Sequence, residues 1–202
     1  LWLIEAVKYN VLPLDDRQSE RFIPEIAGRP TLIKGNSQLF FPGMGRLSEN
    51  SVVSIKNKSW SVTAEVVAGD EQTSGVIIAQ GGRFGGWGMY IKDGVPGYDY
   101  NFLGLERFSV VGTERLSPGQ HTIRFEFDYD GDGMGKGGLG VLYVDDVKVA
   151  ENRIDRTQPM VFSADETADV GIDLATPVIE VIGAEAASRF NGEINSVTIE
   201  VR

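Results

Sequence analysis

Three aspartates at alternate positions form a candidate metal loop. Asp128, Asp130 and Asp132 occupy every second position, and glycines lie between and after them. Oxygen ligands in this spacing can wrap around calcium, and glycine permits the sharp turn that such a loop needs. The twelfth position, however, is Leu139 rather than a bidentate Glu. Two interpretations follow, a calcium site and a polar hairpin tip in which Asp and Gly are ordinary turn residues.

A second group of carboxylates is Asp165, Glu166, Asp169 and Asp173. Calcium held between loops at the edge of a sandwich is one interpretation of this group. The other is that the carboxylates brace a loop by accepting hydrogen bonds from backbone N–H groups. Catalysis of glycoside hydrolysis would need two carboxyl groups about 5–10 Å apart across a cleft, and the sequence shows no such pairing.

Aromatic residues concentrate in a third group, on two neighbouring predicted strands. Trp87 and Tyr90 lie on the first strand, and Tyr98 and Tyr100 share one face of the second. Exposed rings on a sheet could stack on the rings of a neutral glycan, because they offer flat apolar area with a polar edge. The alternative is that these side chains fill the core.

Nucleophilic chemistry has little support in the composition. The chain contains no cysteine, which excludes thiol catalysis, disulfides and zinc-finger sites. His121 is the only histidine, and neither a cysteine nor a second histidine accompanies it. We therefore expect neither a catalytic triad nor a metal ligand there.

The elements that would position these residues are mainly strands. Apolar and polar residues alternate in three segments, 60–66, 122–127 and 196–201. Such alternation is typical of antiparallel strands with one buried face. Further strands are predicted at 37–41, 51–56, 75–80, 87–92, 97–103, 107–112, 139–145, 147–151 and 177–182. About a dozen short strands joined by glycine-rich turns predict an all-β fold, an antiparallel sandwich of two sheets.

The first 36 residues differ from the rest. Residues 1–9 can form a short helix, which must end before Pro13, and 10–36 read as an extended linker. We therefore predict two parts, 1–36 and a sandwich domain over 37–202. The chain begins without an initiator Met or signal-peptide features, so we expect a piece of a longer protein.

Charge limits the partners. The net charge is −10, from 19 basic and 29 acidic residues. Nucleic acid is not expected as a partner, because it requires clustered Lys and Arg. A membrane is not expected either, since the chain is acidic and no run of apolar residues is long enough to cross one.

Several segments together resemble the C-terminal region of bacterial arylsulfatases. The segments are Lys8–Arg17, Ile78–Gly82, Gly85–Gly94, Tyr100–Arg107 and Phe162–Gly171. The closing segment Phe190–Ile199 is similar to the last strand of laminin-G-like and concanavalin-A-like jelly rolls, and this likeness implies a jelly-roll topology. Sulfatases form their formylglycine from a Cys/Ser-x-Pro-x-Arg motif, which this chain lacks.

The resemblance implies a non-catalytic tail that packs against its own sulfatase domain, in a periplasmic or secreted protein. Residues 1–36 would then be the end of the catalytic domain and the linker, with apolar residues such as Trp2, Leu3 and Phe22 exposed. A homo-oligomer is a further expectation. The alternative function is a lectin-like carbohydrate-binding module, with calcium as a candidate cofactor.

Overall fold

The structure is a computed structural model that describes residues 1–14, 21, 27–28 and 32–202. It divides into two compact units, Leu1–Thr31 and Leu32–Arg202. In the first unit, helix α1 spans Trp2–Lys8, which confirms the predicted helix. Trp2 and Leu3 on this helix are exposed, whereas Phe22 lies outside the described residues. Among the described residues, no helix is long and apolar enough to cross a membrane.

The second unit is a sandwich of two antiparallel sheets, which confirms the predicted fold class. Its eleven described strands are β1 Ser37–Phe40, β2 Trp60–Ala68, β3 Gly75–Gly82, β4 Gly85–Lys92, β5 Val95–Phe102, β6 Glu106–Val111, β7 Gly119–Tyr129, β8 Lys136–Val144, β9 Val147–Arg156, β10 Ala168–Val170 and β11 Glu193–Val201. The six-stranded sheet has the order β1-β11-β2-β7-β8-β9, and the five-stranded sheet has the order β10-β3-β4-β5-β6. Single turns of 3₁₀ helix span Glu49–Ser51 and Glu185–Ala187.

The alternation of side chains along the strands produces the core. In β2, Trp60, Val62 and Ala64 are buried, and their partners across the β2–β7 ladder are Phe127, Phe125 and Ile123. Because successive side chains point to opposite faces, the apolar set of each strand meets the facing sheet. Aromatic rings fill the centre of this core. The closest ring pairs are Tyr98 with Phe125, whose centroids are 3.5 Å apart, and Trp60 with Trp87, at 5.0 Å.

Two predicted strands are absent, and one strand was not predicted. Residues 51–56 form a buried loop, because the side chain of Gln38 bonds to the Ser51 carbonyl and the Val53 N–H in place of a neighbouring strand. Residues 177–182 form turns rather than a strand. Val178 and Ile179 of this segment pack against Val76, Ala79 and Tyr90 on β3 and β4. Strand β10 has only three residues, too few to show a period.

Candidate functional site

The hairpin aspartates do not form a cation cage. Asp128 lies near the end of β7. Asp130 and Asp132 follow it in the tip of the β7–β8 hairpin, where both are exposed. Arg153 forms an ion pair with Asp130, and its hydrogen bond lowers the pKa of that carboxyl. A cation would have to displace this guanidinium. The pairing of Asp130 with Arg153 favours the polar hairpin tip, and calcium binding at these aspartates stays a prediction.

The second acidic group braces loops. Asp169 accepts hydrogen bonds from the Arg46 N–H at 2.6 Å and from the Thr167 hydroxyl at 3.0 Å. Asp173 accepts one from the Val178 N–H at 2.8 Å. These partners are backbone and hydroxyl donors, as the loop-bracing interpretation requires.

Glu166 and Asp165 complete this group. Glu166 accepts the Thr176 hydroxyl at 2.6 Å, while Asp165 is exposed on the loop before β10. Within the described ranges, no three His, Cys, Asp or Glu side chains are arranged to hold a metal ion. Calcium binding at the two groups of acidic residues stays a prediction.

Burial of the four aromatics corrects the idea of a stacking platform. Trp87, Tyr90, Tyr98 and Tyr100 are each at most 4% exposed. Their polar atoms face the protein, as with the Trp87 indole N–H, which donates to Gln80. A ring without an exposed face cannot stack on a sugar. Three of these rings pack in the main core, and Tyr90 packs beneath Val178 and Ile179 on the other face of its sheet.

A Ser–His–Asp constellation escaped sequence reasoning, because Asp145 comes from the β8–β9 turn and reaches His121 on β7 only in the folded sheet. His121 Nδ1 lies 2.7 Å from the Asp145 carboxylate, and Nε2 lies 3.4 Å from the Ser117 hydroxyl. The carbonyl oxygen of Ser117 is closer to Nε2, at 2.8 Å. In the protonated imidazole both ring nitrogens donate, one to the Asp145 carboxylate and one to the Ser117 carbonyl. That form has no free lone pair for the serine proton, and its two hydrogen bonds tie the segment before β7 to the β8–β9 turn.

The candidate site is a groove at the end of the sandwich where β1 and β10 finish and β11 begins. We call it the end groove. Its volume is about 420 Å³, and it lies between three segments, 42–45, 170–174 and 189–194. The floor contains Val170, Phe190 and Ile194, each at most 9% exposed. Met44 and Leu174 form partly exposed walls.

Backbone pairing fixes the groove's first wall. Leu47 and Ala168 form an antiparallel bridge, and the Val170 N–H donates to the Met44 carbonyl at 2.8 Å. The loop after β1 therefore extends along β10. A Cβ at Gly45 would lie 2.9 Å from Asp169 Oδ1, so glycine permits this close approach.

The opposite wall depends on Gly75. Its φ is +124°, and a Cβ there would lie 2.4 Å from the Phe190 Cα and 2.6 Å from the Arg189 carbonyl oxygen. Only glycine lets the chain at Arg189 pass so close to β3. Val76 forms a bridge with Arg189, and the Phe190 N–H donates to the Gly171 carbonyl. The base of the Arg189 side chain is thus held in place.

Arg189 is the charged group of the end groove. Its side chain is exposed, and it forms no ion pair with any residue that the structure describes. An apolar floor lined on one side by an exposed arginine suits a small ligand that has an apolar face and an anionic or polar group. No motif in the sequence indicates this site, because the wall at 42–45 lies more than a hundred residues before the segments 170–174 and 189–194 that complete it.

Comparisons with known proteins address the fold. No family profile matches the chain, and no curated protein matches it. The fold is similar to that of the CBM40 module of Ruminococcus gnavus IT-sialidase bound to α2,3-sialyllactose. The TM-score is 0.52 at 11% identity, with 85% of this chain and 92% of that chain covered.

Two further structures share the sandwich. NanB sialidase of Streptococcus pneumoniae matches with a TM-score of 0.51 at 14% identity, over 82% of this chain and 25% of that one. The LG1–3 region of the laminin α2 chain matches with a TM-score of 0.50 at 14% identity, over 84% of this chain and 31% of that one. The chain has a laminin-G-like, concanavalin-A-like jelly-roll fold. Nothing in the comparisons links it to an arylsulfatase.

Proposed function

We propose that this chain is a non-catalytic carbohydrate-binding module that holds a sugar in the end groove. The groove itself carries the proposal. Its volume of about 420 Å³ is within the range of small-ligand sites, and it combines an apolar floor with one exposed guanidinium. The fold is one on which the similar CBM40 module binds sialyllactose, which supports the choice of a sugar.

The ligand that fits best carries a single acidic group. Arg189 offers a planar set of N–H donors that matches a carboxylate. The net charge of −10 opposes a polyanionic sugar, because like charges repel during the encounter. A saccharide with one carboxylate gains the local contact without strong repulsion from the whole chain.

Titration with a pair of sugars tests this proposal. We would follow binding of a monocarboxylated oligosaccharide and of its methyl ester by ligand-observed NMR and calorimetry. Loss of a charge-assisted hydrogen bond costs about 1.5–3 kcal/mol, so Arg189→Ala should weaken binding of the acid roughly 10- to 150-fold. Binding of the ester should change little.

The matched control is Arg83→Ala. Arg83 is also exposed and has no ion pair within the described part of the chain, but it lies on the turn between β3 and β4, away from the end groove. Equal losses in the two arginine variants would reject the end groove as the site. Absence of binding by the wild-type protein to acidic and neutral glycans would reject the function.

A second candidate is the sulfatase-like tail implied by the sequence resemblance. The observation that favours it is α1, where Trp2, Leu3, Ile4 and Val7 are each 57–68% exposed. Exposed apolar side chains that cluster on one element mark a docking surface. Under this function the chain associates with itself or with a catalytic domain. A monodisperse monomer in sedimentation experiments, unchanged by Trp2→Ser, would count against it.

A further inference from the structure

A small cavity lies inside the core, near the start of β2 and the end of β7. We call it the core cavity. Its volume is about 10 Å³. Its lining includes Lys56, Trp60, Tyr98, Phe127, Ile154 and Gln158. A space of this size holds about one water molecule and nothing larger.

Tyr98, which lines this cavity, carries a buried hydroxyl. The side chain is fully buried, and among the described residues its Oη has no hydrogen-bond partner. The ring is fixed between Phe125, stacked at 3.5 Å, and Trp87, stacked at 6.1 Å between centroids. Burial raises the pKa of Tyr98 well above its ordinary value, so the hydroxyl keeps its proton and remains a donor.

Gln158 brings an acceptor. Its side-chain Nε2 donates to the Val161 carbonyl at 3.0 Å and to the Phe162 carbonyl at 3.4 Å. These two carbonyls determine the orientation of the amide, because a rotated amide would place oxygen against oxygen. Oε1 is then buried, and it too has no partner in the described part of the structure.

We propose that the core cavity is a binding site for one water molecule, which accepts a hydrogen bond from Tyr98 Oη and donates one to Gln158 Oε1. Internal waters typically make about three hydrogen bonds. The third partner is available at Lys56, which lines the same cavity, because its ammonium has three N–H donors and its ion pair with Glu49 leaves others free. The site thus offers both donors and an acceptor to a molecule that can use them all.

The cost of leaving two buried polar atoms unpaired favours a cavity that holds a water molecule. Leaving a buried polar group without a partner lowers the folding equilibrium constant roughly 5- to 150-fold. Two such atoms, on two residues that line one cavity, would each contribute this loss. One bridging water removes both losses, and ordering that water costs less than the two losses together.

The first test measures the stability of Tyr98→Phe by urea unfolding. If the hydroxyl donates to a bound water, its loss should raise the unfolding equilibrium constant roughly three- to tenfold. If the cavity is dry, removing an unpaired buried hydroxyl should leave stability unchanged or increase it, which would overturn the proposal. Tyr143→Phe is the control, because this partly exposed tyrosine of β8 lies outside the cavity and should show no effect.

The second test observes the water directly and does not depend on the variant. Cross-relaxation between a long-lived water and the Gln158 side-chain amide protons should appear in the NMR spectrum of the wild-type protein. It should vanish in Tyr98→Phe. A high-resolution crystal structure without density between Tyr98 Oη and Gln158 Oε1 would also overturn the proposal.

Discussion

Asp173 should make the stability of the sandwich fall as the pH rises from 4 to 7. The residue is 1% exposed, and its pKa is raised from 3.8 to about 7. Burial is the largest cause, and the nearby carboxylates of Asp169 and Glu166 add to it. Hydrogen bonds from the N–H groups of Val178 and Ile179 oppose the change and are too weak to cancel it.

The sign follows from proton binding. Between pH 4 and pH 7 the folded protein keeps the proton on Asp173, whereas the unfolded chain has released it. Stability therefore falls with rising pH across this window and becomes level above it. A carboxyl that ionises near pH 7 rather than at 3.8 costs about 4 kcal/mol to ionise in the folded state. Between pH 4.5 and pH 8 the expected loss is about 3 kcal/mol.

The assay compares Asp173→Asn with the wild-type protein by urea unfolding at several pH values, followed by fluorescence of the buried Trp60 and Trp87. The asparagine keeps an oxygen that can accept the Val178 N–H, and it cannot ionise. Relative to the wild type, the variant should gain about 3 kcal/mol in free energy of unfolding between pH 4.5 and pH 8.

The control is Asp132→Asn, which removes the same charge from the exposed hairpin tip. Its free energy of unfolding should follow that of the wild type at every pH. Parallel curves for Asp173→Asn and the wild type would refute the reasoning. They would mean that Asp173 is as easily ionised in the folded protein as in the unfolded chain.

Three further predictions concern single side chains. Burial lowers the pKa of His121, but hydrogen bonds to Asp145 and to the Ser117 carbonyl raise it more, so NMR should find this lone histidine titrating above 6.5. The stabilisation from protonated His121 should be complete below pH 6.5 and disappear as the pH rises through the folded-state pKa. Asp145→Asn should abolish the rise in the pKa of His121. Gly75→Ala should destabilise the fold by about 2–4 kcal/mol in urea unfolding, because a Cβ there meets backbone at 2.4 Å, whereas the control Gly69→Ala has open space and should change little. Lys56→Met should cost about 3–5 kcal/mol by leaving Glu49 unpaired, and adding Glu49→Gln should restore much of that loss.

The strands that sequence reasoning found are those whose two faces have different neighbours. Val62 and Ala64 meet the core, while Thr63 between them is half-buried on the outer face of its sheet, so the period of two is visible in the sequence. The segment 177–182 misled the same reasoning. Val178 and Ile179 are adjacent and both fully buried, because they cover the outer face of the five-stranded sheet from a turn. Apolar character there reports burial and not strand geometry.

The aromatic group shows why composition cannot separate a binding face from a core. Tyr90 and Tyr98 lie on opposite faces of the five-stranded sheet, and both are buried. The outer face is hidden only because Ile179, from a segment eighty or more residues away, packs against the same face as Tyr90. Parity along a strand assigns a face to each side chain, but it carries no information about what covers that face.

The end groove was beyond sequence reasoning for a related reason. Arg189 acquires its position from the close approach of its backbone to Gly75, and Gly75 lies in a strand that reads as an ordinary apolar segment. The close approach that leaves no room for a Cβ at residue 75 also fixes the backbone from which the Arg189 side chain extends. A substitution at Gly75 should therefore weaken ligand binding in the end groove along with stability, whereas Arg189→Ala should affect binding alone. This separation distinguishes a residue that contacts the ligand from one that supports the wall.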